Sequence, residues 1–596
     1  MEVNNDKQEK QKGQDNNSCL KEKAMKNPIR ILSFGAILCF ALFFGCSSQN
    51  SAASGGTEFK AGVYSSAVQG HNGEIKVSVT FSGNAIVAVN IDKHEETVGL
   101  GETALKSLSE QVVKTNSLAV DVITGATVSS RALLRAIENC VTEAGGSVAA
   151  LKNAASGQQK AVDVDTDIVV VGGGAAGLSA AINIRYLGKK VILLEKLSLL
   201  GGNTILGTTG IGGVGSKLFK EQGLTATTEA FYNSTNPTGP GKIPEALWVM
   251  ADKSGEALDW INDLGAGLTR TFNTFFAGTN DGTGLGLHIV PALQAEAEKT
   301  GVDIRLNNRA VEIVMVNGKA AGVKVQSPSG NYTINAKAVI LCAGGFANNP
   351  EMVTKYDPRW VGFGCSSSVG QTGDGILMAQ AIGADLWNMD VIVVNPSVAY
   401  LPDQRLSLTT LRRMGGIMVN KEGERFANEY GNYTEAAEAI TKQTDKLAYM
   451  VFDTEMLNLG IIKGYYDRGL FTEAPTIAEL AAKMGIDPTG LEATVETYKT
   501  YFANRKDPEF GNTIFNIDFT KPPYMGIEIF PAVQGTNGGV KVDVDTHVID
   551  TQGKIIPHLY AAGENAGEGT QGEGSTLTIA IVFGKIAAQK AVAEMP

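Results

Sequence analysis

Histidine is scarce: His71, His94, His288, His547 and His558 are the full set in a 596-residue chain, and none lies between 288 and 547. The middle of the chain therefore offers no imidazole for acid–base work. Cysteine is equally thin. No Cys-x-x-Cys-His occurs, which excludes an attached c-type haem, and no cysteine cluster could hold an iron–sulfur centre. Beyond residue 46 only Cys140, Cys342 and Cys365 remain, an odd number that does not suggest a disulfide framework. Positive charge is also short. With 51 Lys and Arg against 62 Asp and Glu the formal charge is -11, and without a basic stripe nucleic acid is excluded as a partner. Late apolar runs are few. Thr576–Val592 carries Lys585 and Lys590 and reads as a packed helix, not a membrane span.

The amino terminus reads as an export signal. Lys21, Lys23, Lys26 and Arg30 precede an apolar run from Ile31 to Gly45, followed by Cys46-Ser47-Ser48. The run is shorter than the roughly 20 residues a spanning helix needs. Phe43-Phe44-Gly45-Cys46 resembles a bacterial lipobox, with Phe43 where Leu is usual, and makes Cys46 the expected lipidated residue. Met25 would begin such a signal normally, so residues 1–24 read as a mis-called start or an unstructured extension. The expectation is an exported lipoprotein on the outer face of the cytoplasmic membrane or the cell surface, held by lipid only. An uncleaved anchor helix is the alternative.

Residues 1–45 are thus the expected signal with its possible extension, and 46–57, small and polar, the tether. Alternating segments such as Ile75–Phe81 and Ala85–Ile91, with helical stretches near Thr103–Val113 and Ser130–Ala144, predict a compact α+β domain over 58–147. Residues 148–164 read as a linker. From Asp165 the pattern becomes strand, glycine-rich turn, helix, strand, the mark of an α/β dinucleotide fold.

That turn is Val171-Gly172-Gly173-Gly174-Ala175-Ala176-Gly177. It follows an apolar strand, opens a helix, and precedes a strand ending at Glu195, the spacing of a ribose contact. Gly172 permits the tight turn, Gly174 lets backbone approach a pyrophosphate, and Gly177 allows close helix–strand packing. The helix N-terminus offers partial positive charge to the phosphates. Gly201-Gly202-Asn203-Thr204 suits backbone lying against a flavin, and Ala310-Val311 ends a β run where adenine could pack. Ala343-Gly344, Thr372-Gly373-Asp374-Gly375 and Ala562-Gly563-Glu564 supply further turns.

Together these motifs resemble the FAD domain of fumarate reductase and succinate dehydrogenase flavoproteins. The likeness is nearest to the exported branch with flavocytochrome-type fumarate reductases, urocanate reductases and related enoate reductases, over about residues 165–596. It implies a Rossmann-like FAD domain in two parts, 165–389 and 526–596, with an inserted α+β cap at 390–525. It also implies non-covalent FAD held by Gly172, Gly174, Ala176, Gly177, Glu195, Gly202, Asn203, Thr204, Val311, Ala343, Gly344, Asp374, Glu564, Ser575 and Leu577. In front, Asp121-Val122-Ile123-Thr124-Gly125-Ala126-Thr127 matches the FMN-binding domain motif, whose last Ser/Thr carries FMN through a phosphoester. Thr127 is then the acceptor, while Asp121 serves a dedicated flavin transferase.

Val419-Asn420-Lys421-Glu422-Gly423-Glu424-Arg425-Phe426-Ala427-Asn428-Glu429 matches the family's cap marker. Beyond it the pattern breaks. Tyr433 stands where fumarate and urocanate reductases place the proton-donating Arg, and Arg412 resembles the relay Arg. The substrate-holding positions become Asn395, Gln534 and Gln571. Tyr433 as proton donor, with Arg412 assisting, is the expected chemistry, with a packing tyrosine as the bland alternative. Without the paired Arg and His, a dianion would lose several charge-assisted hydrogen bonds, so a neutral or singly charged acceptor is expected instead of fumarate.

The expected protein is a reductase passing electrons from FMN to FAD and on to an activated C=C bond in anaerobic respiration, fed by a membrane or extracellular donor. The rivals are a dehydrogenase of the FAD-dependent 3-ketosteroid type and an electron-transfer flavoprotein without its own substrate.

Overall fold

The computed structural model describes residues 58–595 apart from 72, 97–99, 121, 124–125, 154–160, 209, 237–242, 272, 280–282, 402–404 and 568–574. The expected signal and tether with Cys46, together with Asp121 and Gln571, lie outside the described residues.

The amino-terminal lobe is an antiparallel sheet of β1 (Gly62–Gln69), β2 (Glu74–Phe81) and β3 (Ile86–Lys93), covered by α1 (Leu100–Thr115) and α2 (Thr127–Glu143). Strict alternation on β2 sends Ile75, Val77, Val79 and Phe81 inward. They meet Leu133, Ile137 and Val141 from one face of α2, each worth about 1.5–3 kcal/mol when fully buried. The expected linker starts later than its composition suggests. Residues Val148–Asn153 form a helix whose Leu151 is 2% exposed in this lobe's core, with its carbonyl accepting from Leu118 N and Ser117 Oγ.

The second lobe is built on β4 (Val164–Val171), α3 (Ala175–Tyr186), β5 (Val191–Leu194), β6 (Asp303–Arg305), β7 (Arg309–Val316), β8 (Lys319–Ser327) and β9 (Gly330–Leu341). The sheet order is β7-β8-β9-β4-β5-β6, and the pairs β9–β4, β4–β5 and β5–β6 are parallel. Helix α3 packs on one face and side chains of β7 and β8, such as Ala310, Ile313, Val323 and Val325, on the other, which is why β5 and the end of β4 are buried residue after residue.

The cap contains β10 (Ile392–Tyr400), β11 (Arg405–Ser407), α4 (Thr409–Met414), β12 (Ile417–Val419), α5 (Tyr433–Thr441), β13 (Ala448–Phe452), α6 (Gly460–Asp467) and β14 (Tyr524–Thr536). Its sheet runs β11-β10-β14-β13-β12. Inside the cap Arg425 is buried with a bidentate bond to Glu429 at 2.7 Å and a third to Asp507 at 2.8 Å. Breaking one partner of such a buried set costs about 3–5 kcal/mol, because it strands a charge. The expected boundary at 525/526 falls inside β14, an unbroken 13-residue strand that leaves the cap and enters the second lobe. There the chain closes with β15 (His547–Ile549), β16 (Ile555–Ala561), which pairs parallel with β9, and α7 (Ser575–Glu594).

Among the described residues, α7 is the one helix long and apolar enough to cross a membrane by length and composition. It packs on α3 so closely that a Cβ on Gly584 would lie 2.3 Å from the Ala176 carbonyl oxygen. It is a core helix of the second lobe.

Candidate active site

A cavity of about 1530 Å³ runs between the three lobes. That exceeds the roughly 300–1,000 Å³ of a small-molecule site, so a dinucleotide and a second ligand both have room. The glycine turn forms its floor. Gly172 has φ 111°, and a Cβ there would sit 2.2 Å from the Cys342 carbonyl, so only glycine fits between β4 and the β9 turn. A Cβ on Gly177 would meet the Gly172 carbonyl at 1.8 Å, which presses α3 against the turn. Gly174, the N-cap of α3, has no side chain of its own to bond the first-turn N–H groups; Ala175 N donates to Thr204 Oγ1, and the positive helix end lines the cavity.

Glu195 ends β5 and accepts from Gly173 N at 2.9 Å and Leu197 N at 2.8 Å; burial pushes its carboxyl up. Thr204 Oγ1 accepts from Ala175 N. Asn203 donates to Glu564 at 3.1 Å, and Glu564 also accepts from Thr536 N at 2.9 Å. Desolvation pushes Glu564 up to about 7 against these bonds. Gly202, Ala343, Gly344, Ser575 and Leu577 line the same space. Asp374 is held in place by Arg309, Lys196 and Thr372.

Val311 does not join this wall. It lies near the start of β7, at a register shift against β8, and its side chain is 37% exposed; Arg309 and Ala310 line the cavity instead.

The amino-terminal lobe reaches the cavity through Glu95 and Glu96. Glu96 accepts from His71 N at 2.7 Å and from Ser129 Oγ, two residues beyond Thr127. Thr127 is the first residue of α2, whose N-terminus has no side-chain cap. Leu199 packs against the core of this lobe and lines the cavity too.

On the cap side Tyr433 lines the cavity and donates to Thr409 Oγ1 at 3.0 Å. Thr409 is 3.1 Å from Ser407 Oγ, so three hydroxyls form a chain along the wall. The guanidinium carbons of Arg412 and Arg413 lie 4.8 and 5.5 Å from the centre of the Tyr433 ring. Their positions differ from the expected one. Arg412 is wholly buried behind Tyr433, bonding the carbonyls of Glu429 and Gly431, whereas Arg413 lines the cavity.

Asn395 is likewise buried, holding Ser407 Oγ at 2.8 Å and Thr409 Oγ1 at 3.2 Å and accepting from Ser397. It positions the hydroxyl chain and does not reach the cavity. Gln534 does reach it. Among the described residues its Oε1 has no hydrogen-bond partner, nor has Nδ2 of Asn537, a wall residue only 7% exposed. Two orphaned buried polar atoms at one cavity fit a site completed by a ligand.

Sequence reasoning passed over Asn537 and the Ser366-Ser367-Ser368 run on this wall, and counted Arg413 among the possible donors behind Tyr433 and Arg412. The adjacent Arg412-Arg413 pair was the available signal: neighbours on a helix diverge, so only one of them can face the cavity.

The FAD binding domain family matches residues 167–575, and the FMN-binding domain family matches residues 70–142. The chain is 32% identical to the urocanate reductase of Eggerthella lenta, over 94% of this chain and 97% of that one. It is 34% identical to the cytochrome-type fumarate reductase of Shewanella frigidimarina, over 71% of this chain and 76% of the relative. The chain belongs to the fumarate and urocanate reductase family of flavoproteins. The structure of a flavocytochrome c3 fumarate reductase in an open conformation superposes on this member with a TM-score of 0.64 and 30% identity, covering 72% of this chain and 79% of that one. This family member is an oxidoreductase whose cofactors are FAD and FMN. The glycine cradle, the helix end behind Gly174 and Glu195 on the cavity wall suit the first. Thr127, the first residue of α2, lies within the region that matches the second.

Proposed function

We propose that this family member reduces the activated C=C bond of a small unsaturated organic acid, receiving electrons through FMN and FAD. One observation carries the reading: a single cavity is walled by the dinucleotide cradle, by Glu95 and Glu96 beside the FMN lobe's α2, and by a cap wall bearing a phenol between two guanidinium groups. FAD, when bound, supplies hydride for the substrate carbon. The chain then has to provide the proton for the other carbon. Tyr433 is the proposed donor. Arg412 and Arg413 stabilise its anion, and Thr409 and Ser407 return a proton along the hydroxyl chain that Asn395 holds in line. Gln534 and Asn537 complete the acceptor's contacts.

The proposal extends to maturation and place. Thr127 would take FMN as a phosphoester from a flavin transferase, with Asp121 assisting, and Cys46 would take lipid after export. A membrane or extracellular donor would then supply the FMN lobe. The proposed division takes 58–153 as that lobe and lets the cap run from 390 into β14.

The test uses mature protein made with its flavin transferase, reduced methyl viologen as donor, and acrylate, fumarate, urocanate and neutral enones as acceptors. Acceptor-dependent oxidation of the dye is expected for an unsaturated acid. No oxidation with any of them overturns the reductase. Faster reduction of an oxidised, high-potential dye by the saturated partners would instead favour a dehydrogenase.

A further inference from the structure

The sequence motifs leave α6 without a role. Its cavity side presents Gly460, Ile461, Gly464, Tyr465 and, just past its end, Arg468, a single stripe along one helix face. Other cations on the wall are engaged: Lys196 and Arg309 with Asp374, Arg405 with the Leu401 carbonyl, Arg413 with the Tyr430 carbonyl. Among the described residues Arg468 has no assigned hydrogen bond or ion pair. A half-buried guanidinium without a partner is costly until an anion reaches it. One turn earlier stands Tyr465. Burial pushes its hydroxyl up to about 12, even with Arg468 drawing it down, so it is a neutral donor at working pH.

A guanidinium and a neutral phenol on one helical turn are the complement of a carboxylate. The described acids on the cavity wall, Glu95, Glu96, Glu195, Asp374 and Glu564, all come from the two cofactor-holding lobes, so nothing on the cap side competes for that charge. Beside Tyr465, on the same helix face, Gly464 leaves a gap: a Cβ there would meet nothing within 4 Å.

We infer that Arg468 and Tyr465 form the carboxylate subsite for the acceptor, and that the gap at Gly464 admits a body bulkier than a four-carbon diacid. The acceptor class is therefore an unsaturated monocarboxylate with an extended tail. The inference rests on the reductase reading for its chemistry, but the subsite itself can be tested by binding alone.

The holoprotein is titrated with trans-cinnamate, with its uncharged amide trans-cinnamamide, and with acrylate, following the FAD absorbance of the oxidised enzyme. Wild type binds cinnamate more tightly than the amide. R468Q weakens cinnamate by about tenfold to a hundredfold and leaves the amide unchanged, as expected for one lost charged hydrogen bond; R468K recovers part of the loss. Y465F weakens cinnamate by roughly three- to tenfold. G464L weakens cinnamate and spares acrylate. FAD content and thermal midpoint, followed in each variant, stay at wild-type values.

Equal binding of acid and amide by wild type, or equal loss of both in R468Q, overturns the subsite. If G464L weakens both acids equally or neither, the claim of added room fails. Carboxylate-dependent binding without turnover of any acceptor leaves the subsite standing and sinks the reductase. Turnover that is indifferent to R468Q does the reverse.

Discussion

At position 433 the proposed proton donor is a phenol. Its hydroxyl is bonded to Thr409 and its ring lies beside two cations, so its conjugate base has stabilisation at hand. Y433F should lower kcat by about 10²–10⁴, the usual worth of a positioned acid, with FAD reduction by dithionite unchanged. An unchanged kcat would remove Tyr433 from the chemistry. T409V should lower kcat less and displace its pH profile.

Glu564 permits a second prediction. Its carboxyl is pushed from 4.5 to about 7, so the folded form holds a proton that the unfolded chain has already released. Ionising it then opposes folding. Stability of cofactor-free protein should fall as pH rises from about 4.5 to 7, by up to about 3 kcal/mol, and E564Q should flatten that slope in thermal denaturation. At this scale the cradle residues were legible because their geometry is local to one turn. Arg412, Asn395 and Val311 were not, because a one-residue rotation on a helix, a buried hydroxyl network and a bulge are decided by tertiary packing.

Among the elements, α7 depends on an ionic clasp at its far end. His547 of β15 contacts Asp543 at 2.8 Å and Glu594 at 2.9 Å, and the Tyr560 hydroxyl donates to the same Glu594. Desolvation lowers the imidazole's affinity for its proton, but the two carboxylates outweigh it and hold it above 6.5. A raised histidine contributes stability that is complete below its unfolded value and is lost as pH climbs through the folded one. The holoprotein's thermal midpoint should therefore drop as pH rises above 6.5, and H547Q should start lower and show a shallower drop. A parallel decline in both proteins would assign the effect elsewhere. Element existence was readable from periodicity: β2 and α2 stand within a few residues of their expected spans, and β4 and α3 flank the glycine turn in the expected order. The short helix at Val148–Asn153 escaped because its small, polar sequence is that of a linker, and only the pocket awaiting Leu151 turns it into structure. α6 escaped for a related reason, since nothing local tells a helix which cavity it will face.

For the whole molecule, the decisive fact is that Glu96 joins the start of α2 to the cofactor cavity. A flavin on Thr127 would lie close to the FAD wall and share electrons without a separate carrier. T127V should retain FAD and thermal midpoint, lose the flavin mass from its peptide, and slow FAD reduction by reduced viologen by roughly tenfold or more, about 1.4 kcal/mol in barrier. Undiminished reduction would make the amino-terminal lobe a bystander.

The burial of α7 against α3 also decides a topological matter. A hydropathy scan would thread this helix through a bilayer and assign its two ends to opposite compartments. Since half of that stretch is interior, both ends face the same aqueous side. An alkaline phosphatase or fluorescent reporter fused behind Met595 would therefore report where the flavins reside, and not the far side of a membrane.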